Sequence, residues 1–155
     1  MLKISKLTDY GVLVLSHLAA QGGTQQSVDD LAGATGLAAT TIRKVMKALA
    51  DSGLVITRRG VKGGYRIARP PSQISLRDVV EAFDGPIALT ECSTETSVCD
   101  ITDTCNLSDS WGGINQLILQ MMSRISLEEV RNPNVVDKLY KQMVQQSPMI
   151  QLVNL

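Results

Sequence analysis

The stretch Ser27-Val28-Asp29-Asp30-Leu31-Ala32-Gly33-Ala34-Thr35-Gly36-Leu37-Ala38-Ala39-Thr40-Thr41-Ile42-Arg43-Lys44-Val45-Met46-Lys47-Ala48-Leu49 decides the fold. Ser27 followed by Asp30 has the form of a capping box, with Asp in place of the usual Glu or Gln, so a short helix is expected from about Val28 to Ala34. Gly36 supplies the positive φ that a tight turn requires. A further helix is expected from about Ala39 to Ser52, ended by Gly53. Its apolar residues Ile42, Val45, Met46 and Leu49 recur at i, i+3, i+4 and i+7, along one face. Ala32 is small enough to let the two helices approach, and Ile42 fills the space between them. This is a helix-turn-helix pattern, whose second helix is shaped to enter the major groove. The outer face of that helix carries Thr40, Thr41, Arg43, Lys44 and Lys47, hydroxyls and cations able to reach base edges or phosphates.

On the C-terminal side, Leu54-Val55-Ile56-Thr57 reads as a β-branched strand and Tyr65-Arg66-Ile67 as its return. Between them lies Arg58-Arg59-Gly60-Val61-Lys62-Gly63-Gly64. A basic hairpin directly behind a recognition helix is a wing, and Arg58, Arg59, Gly60, Lys62 and Gly63 are its candidate DNA contacts. A nucleotide-phosphate loop is excluded, because no Lys-Ser/Thr helix start follows Gly64. Pro70-Pro71 closes the unit. On the N-terminal side a helix is expected over residues 8–20, with Thr8 as N-cap and Leu13, Val14, Leu15, Leu18 and Ala19 as its apolar surface. Gly22-Gly23 stops it. The sole histidine, His17, sits among these apolar residues and reads as a packed side chain rather than a ligand.

The formal net charge of zero conceals a division. Residues 1–70 hold ten Lys/Arg against four Asp/Glu, leaving +6, and residues 71–155 hold five against eleven, leaving −6. A charge run is often only a solvated face. Here the cations coincide with a DNA-docking pattern, which favours a basic DNA-reading front joined to an acidic back.

Beyond the prolines, Ser75 to Phe83 forms a short helix, with Ser75 and Asp78 in the N-cap and N3 places, broken by Gly85-Pro86. All three cysteines follow, Cys92, Cys99 and Cys105, spaced Cys-x6-Cys-x5-Cys. Zinc knuckles use tighter gaps and four N/S ligands, whereas iron–sulfur clusters accept wider loops and an occasional non-Cys ligand. Three unrelated thiols or a thiol switch are the alternatives to a shared metal or cluster. No fourth Cys or nearby His is present, and the carboxylates Glu91, Glu95, Asp100 and Asp103 are local candidates for a further ligand. Trp111-Gly112-Gly113 then leads into Ile114, Leu117, Ile118, Met121, Met122 and Ile125, an apolar stripe beside Asn115, Gln116, Gln120 and Ser123. Such a stripe either packs on the winged helix or forms a dimer. So small a domain has little core left to cover it, which favours a dimerisation helix, and a two-fold dimer matches a palindromic operator. A weaker amphipathic helix spans Asn134 to Gln146.

Aromatic residues make up only 3%, which excludes a stacking platform for single strands. No run approaches about 18 apolar residues, so no membrane span is expected. The N-terminus lacks a signal-peptide core, so the expected location is cytoplasmic and a structural disulfide is not expected. No Ser/His/Asp or Cys/His catalytic arrangement is evident, so no enzyme activity and no small-molecule substrate are expected.

Ile4-Ser5-Lys6-Leu7-Thr8-Asp9-Tyr10-Gly11, Gly53-Leu54-Val55, Arg59 through Tyr65 and the three-cysteine loop together make the chain resemble the Rrf-type winged-helix regulators, the IscR- and NsrR-like family, over roughly residues 1–130. Ala88-Leu89-Thr90-Glu91-Cys92-Ser93, Cys99-Asp100-Ile101 and the Trp opening the long helix are most similar to the regulators of SUF-system iron–sulfur assembly. The resemblance implies a mainly α fold with a small β-hairpin wing, a winged helix-turn-helix plus a long dimerisation helix. The implied organisation is 1–70 for DNA binding, 71–109 for a connecting helix and cluster loop, 110–130 for dimerisation, and 131–155 for a C-terminal helix and tail. It implies a homodimeric repressor-like regulator on double-stranded DNA, holding a two-iron or four-iron cluster through Cys92, Cys99 and Cys105. Asn106-Leu107-Ser108-Asp109 stands where IscR-like members carry a ligand His. Asp9 matches the acidic ligand that NsrR-like members supply from the partner protomer. Thr40, Thr41 and Arg43 match recognition-helix positions. Arg43 replaces an acidic residue of IscR-like members, so their operator preference does not carry over. The implied role is cluster sensing at cluster-assembly (suf) genes. The alternatives are nitric-oxide or redox sensing with the same ligands, a structural-zinc DNA binder, and an iron–sulfur electron carrier or metalloenzyme. The last leaves the helix-turn-helix and the basic wing unexplained.

Overall fold

Ser5 begins the first helix because its hydroxyl accepts a hydrogen bond from the Thr8 amide, which satisfies one of the first-turn donors. The expected N-cap, Thr8, is therefore the third residue of the helix. Its side chain is fully buried and committed elsewhere. A computed structural model of the chain describes residues 4–60, 63–93 and 105–146. In order it contains α1 (Lys6–Ala20), α2 (Val28–Thr35), α3 (Ala39–Asp51), β1 (Val55–Arg58), β2 (Gly64–Ile67), α4 (Leu76–Asp84), α5 (Ser108–Arg124), α6 (Leu127–Val130) and α7 (Pro133–Gln146).

Capping boxes start three of these helices: Ser27 with Asp30 on α2, Ser75 with Asp78 on α4, and Ser126 with Glu129 on α6. Each Ser hydroxyl takes the N3 amide while the N3 carboxylate takes the N-cap amide. The Ser27 bonds hold the Asp30 carboxyl below its ordinary value. The α2–α3 turn is made by Gly36 at φ 71°, whose amide donates to the Ala32 carbonyl. Ile42, Val45, Met46 and Leu49, the apolar face of α3, are fully buried. They pack with Val14, Leu15 and Leu18 of α1, Leu31 of α2, Leu54 and Val55 at the hairpin, and Ile74 and Val79 around α4.

The hairpin pairs antiparallel, with Val55 opposite Ile67 and Arg58 opposite Gly64. A single bridge residue, Gln26, joins its edge. Gln26 and Tyr65 exchange two backbone hydrogen bonds of 2.8 and 2.9 Å, so the α1–α2 connection lies along β2. A Cβ on Gly64 would come within 2.6 Å of the Gln26 carbonyl oxygen, so only glycine allows this approach.

The chain beyond Pro70 is tied to the same core. Leu127 of α6 is 1% exposed within it. The Leu76 amide donates to the Ile125 carbonyl and the Leu127 amide to the Ile74 carbonyl, each at 2.7 Å. A second cluster, Val80, Ile87, Leu119 and Met122, seats α5 on α4. The long helix starts at Ser108, three residues before the Trp111 expected to open it, and Asn115, expected on its polar face, is buried. The architecture is a mainly helical winged helix-turn-helix with a two-stranded hairpin, carrying a long helix on its back.

Candidate functional site

Two surfaces carry the candidate residues. The first is the exposed side of α3 and the hairpin. Burying Ile42, Val45, Met46 and Leu49 turns Thr40, Arg43, Lys44 and Lys47 outward, while Thr41 is half-buried. Helix α3 has Ala38 at its N-cap, no side-chain cap and no acid in its first turn. Its first amides and dipole are thus left facing solvent, an arrangement favourable to an anion. Lys47 shares its charge with Asp51 at 2.6 Å, and that hydrogen bond and opposite charge raise its pKa. Arg43 and Lys44 have no ion pair among the described residues. Arg58, Arg59 and Gly60 are exposed on the hairpin. The Gly63 amide closes the turn on the Gly60 carbonyl at 2.8 Å, and a Cβ on Gly63 would meet the Arg58 carbonyl oxygen at 2.4 Å. Lys62 lies outside the described residues.

The second surface is built around the cysteines. Cys92 sits in a 3₁₀ turn, Glu91–Ser93, that packs against α5. The Thr90 hydroxyl lies 3.1 Å from the Cys92 Sγ and 2.8 Å from the Ser93 Oγ. Asn115 of α5 anchors the approach to this turn, its Oδ1 accepting from the Leu89 amide at 3.1 Å. Cys105 lies three residues before α5, and its carbonyl accepts from the Ser108 amide. Both described cysteines are half-buried free thiols beside the first half of one helix. Cys99 lies outside the described residues, as do Glu95, Asp100 and Asp103. Among the described residues no three metal-ligating side chains converge.

Asp9 is exposed on the first turn of α1 and makes no side-chain bond among the described residues. Its neighbour Thr8 donates its hydroxyl to Asp84 Oδ2 at 2.7 Å, and the Ser5 amide donates to the same oxygen at 3.1 Å. Partial burial alone would raise the Asp84 carboxyl. The bonds from Ser5 and Thr8 outweigh that and hold it below its ordinary value. Close by, a Cβ on Gly11 would fall 2.1 Å from the Phe83 ring, so α1 and α4 are interlocked. The first turn of α1, with Asp9, is thereby fixed to the end of α4, from which the cysteine segment departs. Local pattern gave no sign of Asp84 or Asn115, because each bonds a residue far away in sequence. His17 is half-buried in the last turn of α1.

An apolar stripe remains uncovered on α5 and just before it. Leu107, Trp111, Ile114, Leu117 and Met121 are exposed, Leu117 to 63%. No helix of the described residues is long and apolar enough to cross a membrane.

A family model described as Rrf2, iron-dependent transcriptional regulator, matches residues 4–133. Protein aau3 of Rhizobium meliloti (strain 1021) is 34% identical over 108 residues, covering 69% of this chain and 70% of that protein. The structure of CymR (YrzC), the global cysteine regulator of B. subtilis, superposes with a TM-score of 0.65 at 24% identity, covering 84% of this chain and 96% of CymR. T. potens IscR superposes with a TM-score of 0.56 at 24% identity, covering 94% and 92%. At these identities the two structures bear on the fold.

Proposed function

Because the chain belongs to the Rrf2 family of transcriptional regulators, we propose that it is a homodimeric repressor whose hold on DNA is set by an iron–sulfur cluster on Cys92, Cys99, Cys105 and the partner protomer's Asp9. Family membership makes the chain a transcription regulator and not an enzyme. The observation that carries the finer reading is the sharing of α5. One side of its first half holds the turn of Cys92, Cys105 lies three residues before its start, and another side carries the uncovered apolar stripe. A change at the cysteines therefore acts on the helix that would set the spacing of two DNA-reading units.

The donors fit such a group. Two half-buried free thiols, one hydrogen-bonded with Thr90, suit iron and sulfide, and an exposed carboxylate, unpaired among the described residues, suits a more labile fourth position. When bound, the cluster supplies a centre that oxidants, nitric oxide or iron shortage can alter. The chain's own residues do the rest. Asn115 and Thr90 hold the cysteine turn, Asp84 holds the first turn of α1, and α3 presents Thr40, Thr41, Arg43, Lys44 and Lys47 to the major groove. Arg58, Arg59, Gly60, Lys62 and Gly63 follow the flanking backbone. The target genes are those of cluster assembly.

Anaerobic purification with iron and sulfide counting tests the assignment. Alanine at Cys92, Cys99 or Cys105 is expected to abolish the near-visible absorbance, and Asp9→Ala to weaken cluster retention. Zinc in place of iron and sulfide, or full colour in Cys99→Ala, would refute it.

A further inference from the structure

The outer face of the hairpin carries, beside Arg58, a second cation, Arg66, that has no role in the site described above. Side chains alternate along strands, and Ile56 pairs with Arg66 while Arg58 pairs with Gly64, so Ile56, Arg58 and Arg66 share one face. Across an antiparallel pair, Arg58 and Arg66 are diagonal neighbours about 7–8 Å apart at their Cα atoms. The α1–α2 connection, held to β2 through Gln26 and the Cβ-free Gly64, forms the adjoining wall. Together they enclose an open groove of about 530 Å³ lined by Gly23, Gln25, Ile56, Thr57, Arg58 and Arg66.

The charge of this groove is unbalanced. Lys47, Arg69, Arg77 and Lys141 each pair with a carboxylate within the chain. Arg58 and Arg66 are exposed and have neither an ion pair nor a side-chain hydrogen bond among the described residues. Two like charges on one concave face repel each other, and a polyanion laid between them relieves the repulsion. The groove is open rather than closed round a small molecule.

We propose that this groove seats the sugar–phosphate backbone of duplex DNA outside the segment read by α3, with Arg58 and Arg66 each at a phosphate and Gln25 adding a neutral hydrogen bond. This inference rests on the DNA-binding reading above. It extends the contact surface to Arg66 and the α1–α2 connection, neither of which belongs to the recognition helix or the hairpin turn.

Phosphate contacts are independent of sequence, so the test needs no known operator. The full chain is titrated with a mixed-sequence duplex several helical turns long, between roughly 50 and 200 mM salt. Arg66→Ala is expected to lower the log–log salt slope by about 1 for each groove engaged. Arg66→Lys is expected to keep the slope, and Lys138→Ala, an exposed cation on α7, to leave it unchanged. An unchanged slope in Arg66→Ala, with a reduced one in Arg43→Ala, overturns the groove and spares the recognition helix. Absence of salt-dependent binding by the unsubstituted chain overturns the DNA-binding reading itself, and this inference with it.

Discussion

Helices α3 and α5 both bury part of an apolar face, but they leave different chemistry outside. On α3 the four large apolar residues are fully buried, and what remains exposed is hydroxyl and cationic. On α5 the roles are mixed. Leu119 and Met122 are buried with a polar residue, Asn115, while Trp111, Ile114, Leu117 and Met121 are left in solvent. A helix completed within its own domain and studded with unpaired cations calls for a polyanion. A helix with an uncovered apolar stripe calls for another apolar surface, and in the proposed dimer a second copy of the same stripe would supply it. The basic front and acidic back therefore differ in the kind of partner each requires as well as in charge.

The largest expected effect lies on α5. Each large apolar side chain removed from water contributes roughly 1.5–3 kcal/mol, and an aspartate in its place adds a desolvation cost. Leu117→Asp is expected to weaken the dimer at least about 100-fold, equivalent to about 2.8 kcal/mol. Sedimentation equilibrium should then show a monomer with an unchanged circular dichroism spectrum, since Leu117 is 63% exposed in its own chain. An unchanged dimer would assign the stripe to another surface.

Next comes α3. Arg43→Ala is expected to cost roughly 1–3 kcal/mol of operator affinity if the guanidinium reads a base. Lys47→Ala should cost less, because Asp51 already shares that charge. Equal losses, measured by fluorescence anisotropy on the same duplex, would mean that both residues serve only as phosphate contacts.

The smallest effect is expected where the front and back are joined. Thr8→Val removes a buried donor from Asp84 and should lower unfolding free energy by about 0.5–1.5 kcal/mol. Asp84 has a lowered pKa in the folded chain, so its contribution is present above its ordinary value of 3.8 and lost as pH falls through the lower folded value. Urea unfolding at a series of acidic pH values should show that part of the acid sensitivity disappear in Asp84→Asn. The effect should be modest, because Asp84 itself is exposed.

These three regions also differ in how far the sequence revealed them. Ile42, Val45, Met46 and Leu49 were legible because helical periodicity is local, and Ser27 and Ser75 because their capping carboxylates lie three residues on. The sequence places the N-cap of α1 at Thr8, but that hydroxyl is taken by Asp84, 76 residues away, and Ser5 caps the helix. Asn115 looked like part of a polar face, yet the loop brings the Leu89 amide onto it, 26 residues distant. The long helix is expected to open at Trp111, with Gly112 and Gly113 in its first turn, and it begins at Ser108. Each glycine costs only about 1 kcal/mol inside a helix, and packing on α4 outweighs that. Gln26 gave no strand signal, because its pairing depends on a glycine at position 64. Long-range polar bonds leave no periodic trace, and they are what place the cysteine turn and Asp9.

The central claim is that cluster occupancy sets DNA affinity. It is tested most directly by measuring, under anaerobic conditions, the affinity for an operator selected from a random duplex pool, first with the cluster loaded and then after its removal by a chelator. The account predicts a difference of about 100-fold, or about 2.7 kcal/mol, that vanishes in Cys92→Ala. Equal affinity of the loaded and stripped protein would contradict it.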